Sequence, residues 1–217
     1  MSIKEGLKHI EIWNDSMEKV VCKYEEEPIH KGEIVFYGPS YFTRWSEKYG
    51  NKPLREVILG ESGKQCVINR GFGSSCPEHQ LYYYPRMVRP LEPKVLVYGS
   101  WGNGGAFGYS DEESWELAQR VIGYTLTDFP DAHVYLCSAF RTKGMSEEDI
   151  ASRIKYSDVV KQFAEETPRC HYLDVFNYEP LTHEDIYIED GVHFNAKGYQ
   201  AMACFFKEAL KGELEQF

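Results

Sequence analysis

"IVFYGPSYFTRW", residues 34–45, decides how the rest of the chain is read. A short apolar run ends abruptly in Gly38-Pro39-Ser40, and an aromatic stretch follows at once. Such a run, stopped by glycine and proline, reads as a buried strand. Ser40 then sits just past the strand tip. A serine between a strand and a helix is most often a helix N-cap. The alternative is a nucleophile delivered to the edge of a sheet, and the rest of the chain has to choose.

Working outward, the same pattern recurs. The runs are "EIVFY" (33–37), "QCVIN" (65–69), "KVLVYG" (94–99), "HVYLCSAF" (133–140) and "CHYLDVF" (170–176). Each is short and apolar on both faces, as in parallel strands covered by helices on either side. Helical stretches lie between them. "SDEESWELAQRVIGYTL" opens on Ser110 with Glu113 in capping-box position, then carries Trp115, Leu117, Val121, Ile122 and Leu126 as its apolar face. "SEEDIASRIKYSDVVKQFAEE" begins likewise at Ser146, with Ile150, Ile154, Val159, Val160 and Phe163 at helical spacing. "NAKGYQAMACFFKEALKGEL" starts from Asn195 and turns Tyr199, Met202, Phe206 and Leu210 inward. The expected fold is α/β: a three-layer α/β/α sandwich around a flavodoxin-like five-stranded parallel sheet.

Ahead of it, residues 3–25 read as an extra amphipathic helix on Ile3, Leu7, Ile10, Met17, Val20 and Val21. Residues 1–30 are therefore an N-terminal helical extension and 31–217 the main domain. The extension reads as a helix docked on the core, with a lid or a contact in a homo-oligomer as its functional alternatives.

Composition narrows the partners. A net charge of −10 argues against nucleic acid and anionic membrane surfaces, which need clustered Lys and Arg. No stretch is long and apolar enough to span a membrane, and the first residues lack a signal-peptide core, so the expected location is cytoplasmic. The six cysteines form no CxxC pair and several sit in apolar runs, where buried free thiols are expected. Cys76 and His79 are spaced as CxxH, but no second pair completes a zinc set.

In an open parallel sheet, ligands bind beyond the carboxyl ends of the strands. The first strand delivers Ser40. The second delivers "NRGFGSS" (69–75), the third "GSWGNGGAFG" (99–108), and the loop after the fifth holds Asp190 and His193 in "EDGVHFN". A serine hydroxyl needs an adjacent base, which His193 can supply, and Asp190 can hold the other imidazole nitrogen. Oxyanion donors are the Ser40 N–H, an N–H of the Gly73–Ser74 turn and the Asn103 amide.

This order of blocks resembles the SGNH/GDSL hydrolases: "IVFYGPS", "VINRGFGSS", an Asn-bearing loop, and "EDGVHFNAKGY", spanning about residues 33–206. The resemblance implies ester hydrolysis through an acyl-serine, with Ser40 as nucleophile, His193 as base, Asp190 as its orienter, and no metal or cofactor. The sequence departs from the family twice. Pro39 stands where Asp usually precedes the serine, and Asn103 lies four residues after Gly99, so that Ser100 or Trp101 competes for its place. Register puts Ser74 at the family's glycine position in the second block.

The leading expectation is a serine esterase acting on a small acyl ester, with aromatic content leaning toward an acetylated carbohydrate. Tyr41, Phe42 and Trp101 are the expected substrate-pocket residues, with Trp45 beside them. The alternative is a catalytically impaired binding or scaffold protein of the same fold. "HQLYYYPRMVRP" (79–90) reads as a partly buried aromatic helix, or as a platform beside the site. "GNGGAFG" fails the dinucleotide fingerprint and no GK[ST] occurs.

Overall fold

The computed structural model describes residues 14–217, in which strands and helices alternate. In chain order these are α1 (Asn14–Glu25), β1 (Ile34–Gly38), α2 (Ser40–Thr43), α3 (Leu54–Val57), β2 (Val67–Gly71), α4 (Pro77–Met87) and β3 (Val95–Tyr98). Then come α5 (Asp111–Asp128), β4 (His133–Cys137), α6 (Glu147–Glu166), β5 (Cys170–Leu173), α7 (Ala196–Ala209) and α8 (Lys211–Leu214). The strands form one parallel sheet in the order β2-β1-β3-β4-β5. This is the flavodoxin-like α/β/α sandwich.

Both faces of the sheet are covered because successive strand side chains point to opposite sides. Val35 and Tyr37 of β1, with Leu96 and Tyr98 of β3, join a core built with α1, α4, α5 and α6. Ile34, Phe36, Val95 and Val97 face the other way, into a core with α2, α3, α7 and α8. Phe36 anchors the second core with edge-on contacts to Phe42 at 5.3 Å and Phe206 at 5.0 Å.

Strand order also fixes where a site forms. The chain leaves β1 toward β2, crosses back to β3, and continues to β4 and β5. Between β1 and β3 the connections part in opposite directions, which opens a crevice past the strand ends. Ser40 stands at that point.

The helices start where their caps dictate. Ser110 and Ser146 each accept from the backbone N–H three residues on, and Glu113 and Asp149 answer with side-chain bonds back. The inward stripe of α7 is Tyr199, Met202 and Phe206, and Leu210 just beyond it is also buried. Two apolar faces differ from the sequence expectation. In α6 the buried side chains are Tyr156, Ser157, Val160 and Ala164, while Ile154 and Val159 stay 42% and 41% exposed. In α5, Ala118 and Thr125 are buried while Leu117 and Leu126 are only half-buried. Each helix keeps part of its expected apolar face, Trp115, Val121 and Ile122 in α5 and Val160 in α6, and fills the rest with smaller or more polar residues.

Helix α1 is docked on α4. Met17 and Val21 are buried, Arg86 pairs with Glu18 and Glu25 at 2.7 Å each, and the Tyr24 hydroxyl donates to the Gly71 carbonyl at 2.7 Å. Ile3, Leu7 and Ile10 lie outside the described residues. Tyr83 and Tyr84 of α4 are buried and Tyr82 is exposed, so this tyrosine run is helix packing. Among the described residues no helix is long and apolar enough to cross a membrane.

Candidate active site

Ser40 is the first residue of α2, and the cap position belongs to Pro39, with φ −75° and ψ −152°. The Pro39 carbonyl accepts from the Phe42 N–H at 3.2 Å, closing the first turn. Ser40 therefore does not act as the cap. Its Oγ lies 2.8 Å from His193 Nε2, a residue 153 positions later. At the first helical position its N–H has no intrahelical acceptor, and among the described residues no other group accepts from it.

Two glycines make room for this turn. A Cβ on Gly38 would lie 2.8 Å from the Gly99 carbonyl, and one on Gly71 only 2.1 Å from the Thr43 N–H nitrogen. Helix α2 is thus pressed onto the end of β2. The Phe72 N–H donates to the Gly38 carbonyl at 2.7 Å, so the turn after β2 runs beside Pro39 and Ser40. Within it Ser74 has φ +62°, a left-handed conformation that glycine adopts most freely, at the position aligned with a glycine of the resembling family.

His193 is held from its other side. Its Nδ1 lies 2.7 Å from Asp190 Oδ2, while Asp190 Oδ1 accepts from the Val192 and His193 N–H groups at 2.9 and 2.8 Å. Burial alone would push the Asp190 carboxyl up. The bonds from the His193 N–H, the His193 ring and the Val192 N–H outweigh it and bring the carboxyl down to about 2. A carboxylate only accepts, so Nδ1 carries the proton and Nε2 is left to accept from the Ser40 hydroxyl. Glu189 is exposed next to this pair.

Sequence reasoning missed Arg44. At the end of α2, its Nη2 stands 3.7 Å from Asp190 Oδ2, and its guanidinium lies over the Tyr49 ring at 5.0 Å. It brings a positive charge to Asp190 from the segment that carries Ser40. A basic residue four positions past the serine was the available signal.

The loop after β3 closes the crevice. Ser100 is buried and shares a 2.7 Å hydrogen bond with the Tyr156 hydroxyl, and Trp101 packs edge-on against Tyr156 at 4.5 Å. Asn103, at φ +59°, donates from Nδ2 to the Ser75 carbonyl at 2.9 Å, which ties this loop to the turn after β2. One amide hydrogen remains beyond that bond. Beneath lies a buried chain that sequence reasoning also missed. The Tyr98 hydroxyl donates to Gln80 Oε1 at 2.7 Å, Gln80 Nε2 donates to Ser75 Oγ at 3.1 Å, and the Tyr37 hydroxyl donates to the Gln80 carbonyl at 2.7 Å. Gln80 and Ser75 are both 0% exposed, so this network is sealed from water.

A cleft of about 490 Å³ lies past the strand ends, its walls including Ser40, Tyr41, Trp101, Asn103, Arg153 and Tyr156. Tyr41 and Trp101 thus face it. Phe42 does not: it is fully buried beneath α2, against Phe36, Phe140 and Phe206. Helical geometry turns adjacent residues about 100° apart, so Tyr41 and Phe42 cannot share a face. Trp45 is also in that core. Gly73 and Ser74 stand outside the cleft wall, Gly73 against Thr43 and Ser74 exposed.

The CxxH pair is a helix cap. Cys76 precedes α4, its N–H donates to His79 Nδ1 at 3.3 Å, and its Sγ lies 3.1 Å from the same nitrogen. Burial pushes the Cys76 thiol up. Among the described residues no group of three or more His, Cys, Asp or Glu is arranged to hold a metal ion.

Solved structures share this architecture. A GDSL-like lipase from Bacteroides thetaiotaomicron superposes with TM-score 0.70 at 14% identity, covering 91% of this chain and 98% of its own. The fold is that of these enzymes. An acetyl xylan esterase superposes at 0.68 and 19% identity, covering 82% and 99%. A lipase/acylhydrolase from Enterococcus faecalis does so at 0.67 and 16%, covering 84% and 96%. No protein-family model matches the sequence, and no curated protein matches it either.

Proposed function

We propose that the protein is a serine esterase of the SGNH/GDSL type that hydrolyses a small acyl ester through an acyl-serine intermediate. The observation that carries this reading is the unbroken hydrogen-bond line from Asp190 Oδ2 through both His193 nitrogens to Ser40 Oγ. It stands at the switch point of the sheet, and its Ser40 end lies on the wall of a cleft large enough for a small ester.

Ser40 Oγ attacks the ester carbonyl carbon as its proton passes to His193 Nε2, and the carbonyl π pair moves onto oxygen. Asp190 remains ionised and stabilises the imidazolium. The oxyanion accepts from the Ser40 N–H and the Asn103 amide, the two expected donors that stand on the cleft wall. When the tetrahedral species collapses, the C–O bond to the alcohol breaks and the alcohol leaves with the His193 proton. Water, deprotonated by His193, then attacks the acyl-serine. The acid departs and Ser40 recovers its proton.

An acetylated carbohydrate is the favoured substrate. Trp101 offers aromatic surface at the cleft, and an acetyl xylan esterase shares the fold. Labelling with a fluorophosphonate and turnover of p-nitrophenyl acetate test the reading. Wild type should label and hydrolyse, and Ser40→Ala should do neither. A wild type that stays unlabelled and no faster than Ser40→Ala would make the chain a binding protein instead.

A further inference from the structure

Arg153 is a cation in the cleft that the hydrolytic steps leave unused. It projects from the second turn of α6 into the wall that also holds Ser40. Arg44, Arg70, Arg86, Arg89 and Arg120 each pair with a carboxylate. Among the described residues no carboxylate reaches Arg153. Its guanidinium is held by neutral acceptors: Nη1 donates to the Phe140 carbonyl, and Nη2 to Thr142 Oγ1 at 3.2 Å. It also lies over the Trp101 ring at 5.8 Å.

No charge around it pairs with it directly. Asp149, one turn earlier, attracts it through space without an ion pair, and its Oδ2 accepts from the Ser146 hydroxyl at 2.7 Å and the Ser146 N–H at 3.2 Å. Arg141, after β4, repels it, and Tyr41 and Tyr187 nearby are neutral. Partial burial lowers its pKa, a measure of how little water reaches it, yet a guanidinium stays charged. The other charged residue lining the cleft is Asp111. Asp111 is exposed to water and sits in the first turn of α5, where the helix dipole offsets its charge. A half-buried, unpaired guanidinium is a ready partner for a carboxylate, which it can grip by two parallel hydrogen bonds.

We infer that the cleft selects esters bearing an anionic group, a carboxylate set apart from the scissile bond, with Arg153 as the residue that binds it. This inference rests on the esterase reading above and narrows its substrate class.

Two substrate pairs test it and distinguish which half of the ester carries the charge. On the acyl side, mono-p-nitrophenyl succinate is compared with p-nitrophenyl butyrate. On the alcohol side, 4-acetoxybenzoate is compared with 4-acetoxybenzamide. In one pair, wild type should favour the anionic member in kcat/KM. That preference should fall about tenfold in Arg153→Gln, the loss expected of one charge-assisted hydrogen bond, and recover in part in Arg153→Lys. Molar salt should lower the preference in wild type as well, a readout that does not depend on any variant folding. Turnover of the neutral esters with no anionic preference in either pair, or a preference that Arg153→Gln and salt both leave intact, overturns the inference and spares the esterase reading. A wild type that hydrolyses none of the four and resists fluorophosphonate overturns both.

Discussion

Arg44 Nη2 stands 3.7 Å from Asp190 Oδ2, so the short helix that starts with Ser40 ends on a cation facing the carboxylate that holds His193. The distance is too long for a hydrogen bond, and the work of holding Asp190 falls to the Val192 and His193 N–H groups. Arg44→Met should therefore lower kcat on p-nitrophenyl acetate by less than about tenfold with little change in KM. Asp190→Asn, which removes the acceptor that fixes the His193 tautomer, should cost about a thousandfold or more. Steady-state kinetics on the two variants separate the charge effect from the tautomer effect.

The Asp190 carboxyl should titrate near pH 2 when followed by carbon NMR. His193→Ala removes the ring bond and the ring's charge, leaving the backbone donors, so the midpoint should rise toward the ordinary carboxylate range. Ser40→Ala should leave it in place. The sign for stability follows. With its folded-state pKa below the unfolded one, Asp190 stabilises the fold fully above about pH 4, and this is lost as pH falls toward 2. At 38% side-chain exposure that contribution is small, and acid unfolding of His193→Ala should begin at only slightly higher pH.

Phe42 and Trp101 should behave in opposite ways. Phe42→Ala opens a hole between Phe36, Phe140 and Phe206 and should destabilise the fold by about 3–5 kcal/mol, read by urea unfolding. Trp101→Ala sits on the cleft, and its main effect should be a raised KM. An unchanged unfolding midpoint in Phe42→Ala would return that ring to the pocket.

Gln80 joins Tyr98 to Ser75, and Ser75 takes the Asn103 amide. Gln80→Leu strands the Tyr98 hydroxyl and Ser75 Oγ in a dry interior, at a cost of about 1–3 kcal/mol. It should also lower kcat, because the loop that carries Asn103 loses its support. Asn103→Ala should lower kcat by about a hundredfold and, because it frees the Ser75 carbonyl and places Ala at positive φ, also lower stability by about 1–2 kcal/mol.

Much of this was legible in the chain itself. The strands announced themselves because parallel strands are apolar on both faces, and Ser110 and Ser146 marked helix starts because a cap is a local bond. Asp190 and His193 stood out because three residues suffice to turn the acid back onto the imidazole. What stayed hidden depends on distant segments. The exposure of Ile154 and Val159 is set by which side of α6 meets the sheet. The burial of Phe42 is set by where Phe206 arrives. Arg44 meets Asp190 about 150 residues away, and Gln80 meets the Tyr98 hydroxyl about 20 away.

The glycines under α2 have a further consequence. With 2.1 Å between a would-be Cβ on Gly71 and the backbone of Thr43, the seat of Ser40 has no slack in any direction that a side chain can fill. Substitutions there trade activity for nothing. The stretches 101–108 and 141–146 past the strand ends carry Trp101, Asn103 and the Thr142 acceptor of Arg153, and there Gly105, Gly108 and Gly144 have open space where a Cβ would go, although Gly104 does not. If the esterase reading holds, new substrates are to be sought by changing Trp101 and the residues around Thr142, with Gly38, Gly71 and Asn103 left alone.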